Sequence, residues 1–152
     1  MKALSFLFII LLFSSFFACQ TATTTDVLDW QVLAQVTYET QYDSTTAGFQ
    51  PIQSPKFSAE ILAFEGKYVT IKGYLIPMEE SGRANYFVLS ALPFNLCYFC
   101  GGAGPETLIE VRSQEAIPFD TEPIVLKGIF RTYAQTQDYL MYQLHEATVV
   151  KP

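Results

Sequence analysis

From Lys67 onward, hydrophobic and polar residues alternate in short runs separated by turn residues. Val69, Ile71 and Leu75 share one face of Lys67–Pro77, and Ile109 and Val111 share one face of Thr107–Arg112. A period of two over four to ten residues predicts half-buried strands. Tyr86–Leu89, Ile124–Arg131 and Met141–Val150 complete a set of five. The segments between them read as turns or loops: Glu79–Arg83, the cysteine- and glycine-rich stretch Leu96–Glu106, Pro118–Pro123, and a polar run around Gln135–Asp138.

Before Lys67 the period changes. Val27, Trp30, Leu33 and Ala34 fall near one helical face, with Asp26 placed as N-cap, so the spacing predicts a helix over Asp26–Val36. The lone Trp30 reads as a core plug. Phe57, Ile61 and Phe64 predict a short amphipathic helix over Phe57–Phe64, with Gly66 at its C-terminal end. Between them, Tyr38–Pro55 reads as loose, because Ser44–Gly48 is a turn cluster and Pro51 and Pro55 bar regular helix.

Two predicted strands share a local pattern, Val-Thr-Ile-Lys-Gly-Tyr at 69–74 and Ile-Val-Leu-Lys-Gly-Ile at 124–129. A glycine inside a strand weakens a flat sheet and suits a sharp bend. Five strands with such bends on the first and fourth predict a mainly β fold. The expected form is a small, highly curved, OB-like barrel with one or two short N-terminal helices. A five-stranded antiparallel sheet packed on the N-terminal helix is the alternative.

The N-terminus carries an address. Lys2 is followed by an apolar run to Ala18 that is short for a membrane span, which predicts a secretory signal over residues 1–18. Its end, Phe16-Phe17-Ala18-Cys19, resembles the bacterial lipobox, departing from it at Phe16, where an aliphatic residue is usual. An ordinary signal peptide ending near a cysteine is the plainer alternative. The resemblance implies a lipidated Cys19, and the small polar run Gln20–Thr25 reads as a tether, so residues 19–25 are expected to be the lipidated cysteine and its flexible tether. A single β-rich domain then fills 26–152, lipid-anchored to a membrane of the cell envelope. The whole chain carries a net charge of −6; the leader holds one cation, Lys2, and no acid, so the remainder carries −7. Such an acidic chain is a poor nucleic-acid binder, since that binding rests on neutralising phosphates.

The combination of Gly66–Pro77, Tyr86–Ser90 and Cys-Tyr-Phe-Cys-Gly-Gly-Ala-Gly-Pro-Glu at 97–106 resembles an uncharacterised family of bacterial exported proteins and lipoproteins, known as a domain of unknown function. Related branches carry a cysteine at the site of Cys97 but continue with a histidine and a proline run, where this chain has Cys100 and glycines. The resemblance implies an envelope protein associated with transport of divalent metals.

Three chemistries fit Cys97 and Cys100. In an oxidising compartment the pair could close a small disulfide across the loop. Two thiolates at this spacing are also half of a tetrahedral zinc or other divalent-metal site, for which His145 and Glu106 are the candidate partners. Thiol–disulfide exchange is the third, although Gly101–Pro105 does not start the helix that usually activates such a thiol. With no nucleophile–base motif in view, the expected function is a non-enzymatic binding or accessory module, with an envelope transport complex for divalent metals as the partner the resemblance implies. A redox protein using Cys97 and Cys100 is the alternative. Tyr68, Tyr74, Tyr86 and Tyr142 fall at strand positions that read as outward-looking. In an OB-like barrel a binding face would lie on the second and third strands.

Overall fold

A computed structural model of the chain describes residues 25–42, 51–78, 83–134 and 139–150. The expected leader over 1–18, Cys19, the expected tether up to residue 24 and the stretches around Ser44–Gly48, Glu79–Gly82 and Gln135–Asp138 lie outside them. Among the described residues no helix is long and apolar enough to cross a membrane.

The described residues open with a two-residue strand, β1 (Asp26–Val27), and a single helical turn, α1 (Trp30–Leu33). The predicted longer helix is therefore corrected. Asp29, not Asp26, is the N-cap; its carboxylate accepts from the Gln31 amide. Asp26 and Val27 instead pair in parallel with Val69 and Thr70 of strand β4 (Tyr68–Pro77). An exposed amphipathic turn gains less from extending than its first residues gain from a sheet edge. Trp30 packs against the core, and its indole N–H donates to the Lys72 carbonyl at 2.7 Å.

The segment read as loose is also regular. Strands β2 (Thr37–Tyr42) and β3 (Pro51–Lys56) form a separate antiparallel hairpin. Its prolines are tolerated because a two-stranded ribbon is all edge, so a missing N–H need not break a ladder. The second helix is shorter than expected, α2 (Ala59–Leu62), with the Ser58 hydroxyl accepting from the Ile61 amide. Gly66 ends the turn after it with a φ of 74°, and its amide donates to the Phe130 carbonyl.

The remaining strands are β5 (Arg83–Ser90), β6 (Leu108–Pro118), β7 (Ile124–Thr132) and β8 (Tyr142–Val149). With β4 they form a closed five-stranded barrel in the order β4-β5-β6-β8-β7, with β7 returning to pair with β4. Only β6 and β8 run parallel within it. Counted along the chain, the order is first-second-third-fifth-fourth, which is consistent with the OB-like expectation. Strand β6 runs six residues past the predicted end at Arg112, because Ile117 and Pro118 still pair with Ala84 and Arg83.

The interior is the face the alternation marks. Val69, Ile71 and Leu75 meet Phe87, Leu89, Ile109, Val111, Leu126, Phe130, Tyr142 and Leu144 in one cluster, which α1 and α2 join through Leu33 and Ile61. Tyr142 points inward, not outward as its position suggested: it is fully buried, and its hydroxyl donates to the Leu33 carbonyl at 2.8 Å. The two strand glycines sit where neighbouring backbone comes closest. A Cβ on Gly73 would stand 2.7 Å from the Ser90 carbonyl oxygen, and one on Gly128 would stand 2.7 Å from that of His145.

Candidate binding face

Side chains that alternate away from the barrel interior meet a second layer. The segment between β5 and β6 makes three short 3-10 turns, Phe94–Leu96, Tyr98–Cys100 and Pro105–Thr107. It folds over the outer surface of the sheet and plugs Cys97 against Ile76, Val88 and Leu108, with Leu140 packed alongside. This apolar cluster lies outside the main core and holds the segment down, with Cys97 at 0 % exposure.

What the segment turns to solvent is apolar too. Phe94 is 58 % exposed, Leu96 53 %, Tyr98 42 % and Phe99 53 %. No charged residue occurs between Arg83 and Glu106. Scattered exposed hydrophobics are ordinary, but four large ones within six residues form a patch of the kind that marks interaction sites.

The two thiols are brought together. The Cys97 thiol donates to the Phe94 carbonyl oxygen at 3.0 Å, and the Cys100 thiol donates to the same oxygen at 3.3 Å. Both cysteines are unbridged. The turn between them is closed by the amides of Cys100 and Gly102, which donate to the Cys97 carbonyl at 3.0 and 3.2 Å. Glycine is required here. Gly101 has a φ of 75°, and a Cβ on Gly102 would stand 2.2 Å from the Leu96 carbonyl oxygen. Local desolvation, then the neighbouring Cys97 thiol, push the Cys100 thiol above its ordinary pKa.

The proposed partners of the pair are placed elsewhere. His145 lies on β8, its Nε2 hydrogen-bonded to Gln143 Oε1 at 2.8 Å. Glu106 folds back on its own turn, so that a Cβ on Gly104 would stand 2.3 Å from its carboxylate. It faces the phenols of Tyr38 and Tyr142. Among the described residues no group of three or more His, Cys, Asp and Glu side chains converges as a zinc site would require. A tetrahedral set of Cys97, Cys100, His145 and Glu106 is thus not assembled.

Burial, then the Glu106 carboxylate and the Tyr98 phenol, raise the Tyr38 pKa from 10.0 to about 12. Burial, Tyr38 and Glu106 raise that of Tyr142 as well. A phenol whose pKa is raised on folding holds its proton longer in the folded chain than in the unfolded one. Its stabilisation is complete below pH 10 and is lost as pH rises through the folded value. Denaturant unfolding followed from pH 9 to 12 is expected to show stability falling above pH 10, with a shallower fall in Tyr38→Phe.

Sequence reading missed a polar cluster beside the loop. Glu110, between Ile109 and Val111 on β6, is only 3 % exposed. Its carboxylate accepts from Arg112 Nη2 at 3.2 Å and, at 3.4 Å each, from the Leu140 amide and Gln143 Nε2. The Arg112 guanidinium also stacks over the Tyr86 ring, 4.9 Å from its centroid. Burial, then the Glu110 carboxylate, raise the Tyr86 pKa, with Arg112 opposing. Register could have exposed the cluster, since Tyr86 pairs with Arg112 and Glu110 with Gln143. The cover over it could not be read, because it comes from a distant loop. Tyr86, Glu110 and Arg112 stand on the second and third barrel strands. A cavity of about 410 Å³ opens elsewhere, between the ends of β6 and β8, lined by residues 114–118 and 147–149.

No protein-family profile matches the chain, and no curated protein matches it. Among solved structures the fold is similar to that of a DUF3299 family protein from Pseudomonas aeruginosa PAO1. The TM-score is 0.51 at 14 % identity, over 84 % of this chain and 97 % of the other. The likeness is one of fold, and the neighbour comes from a family defined as a domain of unknown function, in keeping with the kind of family the motifs suggested.

Proposed function

We propose that the protein is a non-enzymatic accessory module, lipid-anchored through Cys19 in the bacterial cell envelope, that docks onto an envelope protein through the loop between β5 and β6. One observation carries this reading: Phe94, Leu96, Tyr98 and Phe99 are turned to solvent on a loop whose base is pinned by buried Cys97. A preorganised apolar patch loses little conformational freedom on binding, and aromatic side chains dominate interface energetics. The lipid supplies localisation, since the acidic domain gains nothing from anionic lipid. A transport complex for divalent metals is the partner class that the family resemblance implies.

The thiol–disulfide alternative draws on the shared Phe94 acceptor, which holds the two sulfurs close. Against it, the accessible thiol is Cys100, whose raised pKa lowers its thiolate fraction and so its reactivity.

The test combines mass spectrometry of Cys19 with photo-crosslinking from position 99 in the intact cell. Acylated Cys19 and a discrete adduct with a metal-transport protein, lost in Phe94→Ser/Leu96→Ser, are expected. An unmodified Cys19 overturns the anchor. A crosslinking pattern unchanged by the double substitution overturns the docking loop.

A further inference from the structure

We infer that Cys97 and Cys100 form a two-coordinate thiolate site for a soft monovalent metal ion, copper(I) being the physiological case. Thiolate is a soft ligand, and soft ligands select copper(I), zinc and iron–sulfur clusters among biological metals. Zinc fills four positions in a structural site and three protein positions in a catalytic one. This loop offers two sulfurs, and among the described residues no third His, Cys, Asp or Glu converges with them. Copper(I), a closed-shell monovalent ion, is satisfied by two thiolates on opposite sides, so the pair is a complete site for it and half a site for zinc.

Geometry supplies the second argument. Both thiols are aimed at one point, the Phe94 carbonyl oxygen, at 3.0 and 3.3 Å. The backbone that aims them is fixed by three amide donors, from Cys100, Gly101 and Gly102, and by glycines at the two positions after Cys100. The floor is apolar, made of Ile76, Val88 and Leu108. Cys97 is buried and Cys100 exposed, so an ion would be anchored from within and reached from outside.

The binding step balances simply. Two sulfur–copper bonds form, two S–H bonds break, and both protons pass to solvent. No electron is transferred, and the bound unit carries a single negative charge. The two hydrogen bonds to Phe94 are exchanged for the metal bonds. This inference is independent of the docking proposal, because ion binding is read on the isolated protein.

The experiment uses the full-length protein, reduced with a non-thiol reductant and held without oxygen. Copper(I) is titrated against a chromophoric copper(I) chelator, and zinc against a zinc indicator. The expected result is one copper(I) per chain. Cys100→Ser, at an exposed position, should fold as the parent does and bind copper(I) more weakly by at least about 100-fold. X-ray absorption of the loaded protein should show two sulfur neighbours and no nitrogen or oxygen shell. Copper binding unchanged in Cys100→Ser overturns the site. So does a four-coordinate shell, zinc held more tightly than copper(I), or a Cys97–Cys100 bond that cannot be reduced without unfolding. Cys97→Ser serves as a second variant, with circular dichroism to separate lost ligation from lost structure.

Discussion

Gly128→Val is expected to keep the barrel from closing, costing on the order of 3 kcal/mol or more of stability. Even the first carbon of a side chain there would stand 2.7 Å from the His145 carbonyl oxygen, 2.8 Å from the Leu144 Cγ and 3.2 Å from the Ala147 Cα. Two of these three atoms belong to the backbone of β8, so relief requires the β7–β8 ladder to part. That ladder already shifts register between Lys127 and Ile129, beside the glycine. Gly73 on β4 faces the same constraint from the Ser90 carbonyl and the Leu89 side chain, and its valine variant should behave alike. The check is urea unfolding of both variants beside Gly101→Ala. Nothing lies within 4 Å of a Cβ at Gly101, so its cost should come from the positive φ alone and be the smallest of the three.

Phe130→Ala is expected to cost about 3–5 kcal/mol, by lost transfer free energy and by the cavity left behind. The ring is fully buried, its centroid 5.7 Å from that of Tyr142, which in turn stands 5.7 Å from Phe57. These three rings join the barrel interior to the segment leading into α2. A collapse that filled the void would have to move elements fixed from several sides, because the Phe130 carbonyl and amide also bond Gly66 and Lys67. Thermal unfolding should shift down by roughly 10 °C or more. Phe130→Leu, which restores most of the volume, should recover a large part of the loss.

The strands were legible because their evidence is local. In β4 and β7 the period of two marks the buried face, and the shared glycine of their Lys-Gly pairs marks the close approach. The helical turns were legible in place but not in length. Asp26 and Asp29 are equally good caps by type, and the choice between them is made by β4, which takes Asp26 and Val27 into its edge. The β2–β3 hairpin was hidden because its prolines suit a two-stranded ribbon as well as a loop. At the candidate site, the cysteine turn announced itself through residue type and spacing. Glu110 did not, because an outward position on a strand means solvent unless something distant covers it. Here the cover includes Leu140, thirty positions away. His145 and Glu106 are ligands by residue type alone, and the fold gives them other neighbours, Gln143 for His145 and the Tyr38 and Tyr142 phenols for Glu106.

The seam that closes the barrel has a consequence for how the chain comes to be folded. Tyr68 of β4 meets Ile129 of β7, roughly sixty positions later, and the parallel β6–β8 contact waits for the last strand of all. Contacts that distant must overcome loop-closure entropy before they are rewarded, which makes folding slow on the scale of milliseconds to seconds. Without β7 and β8, the strands β4 to β6 form an open sheet with two bare edges and an uncovered apolar face. An N-terminal half that cannot complete its core alone cannot reach the finished fold while the rest of the chain is still being made. On the proposal that residues 1–18 direct export, that delay is an asset: it would keep the polypeptide threadable until its C-terminal strands have crossed.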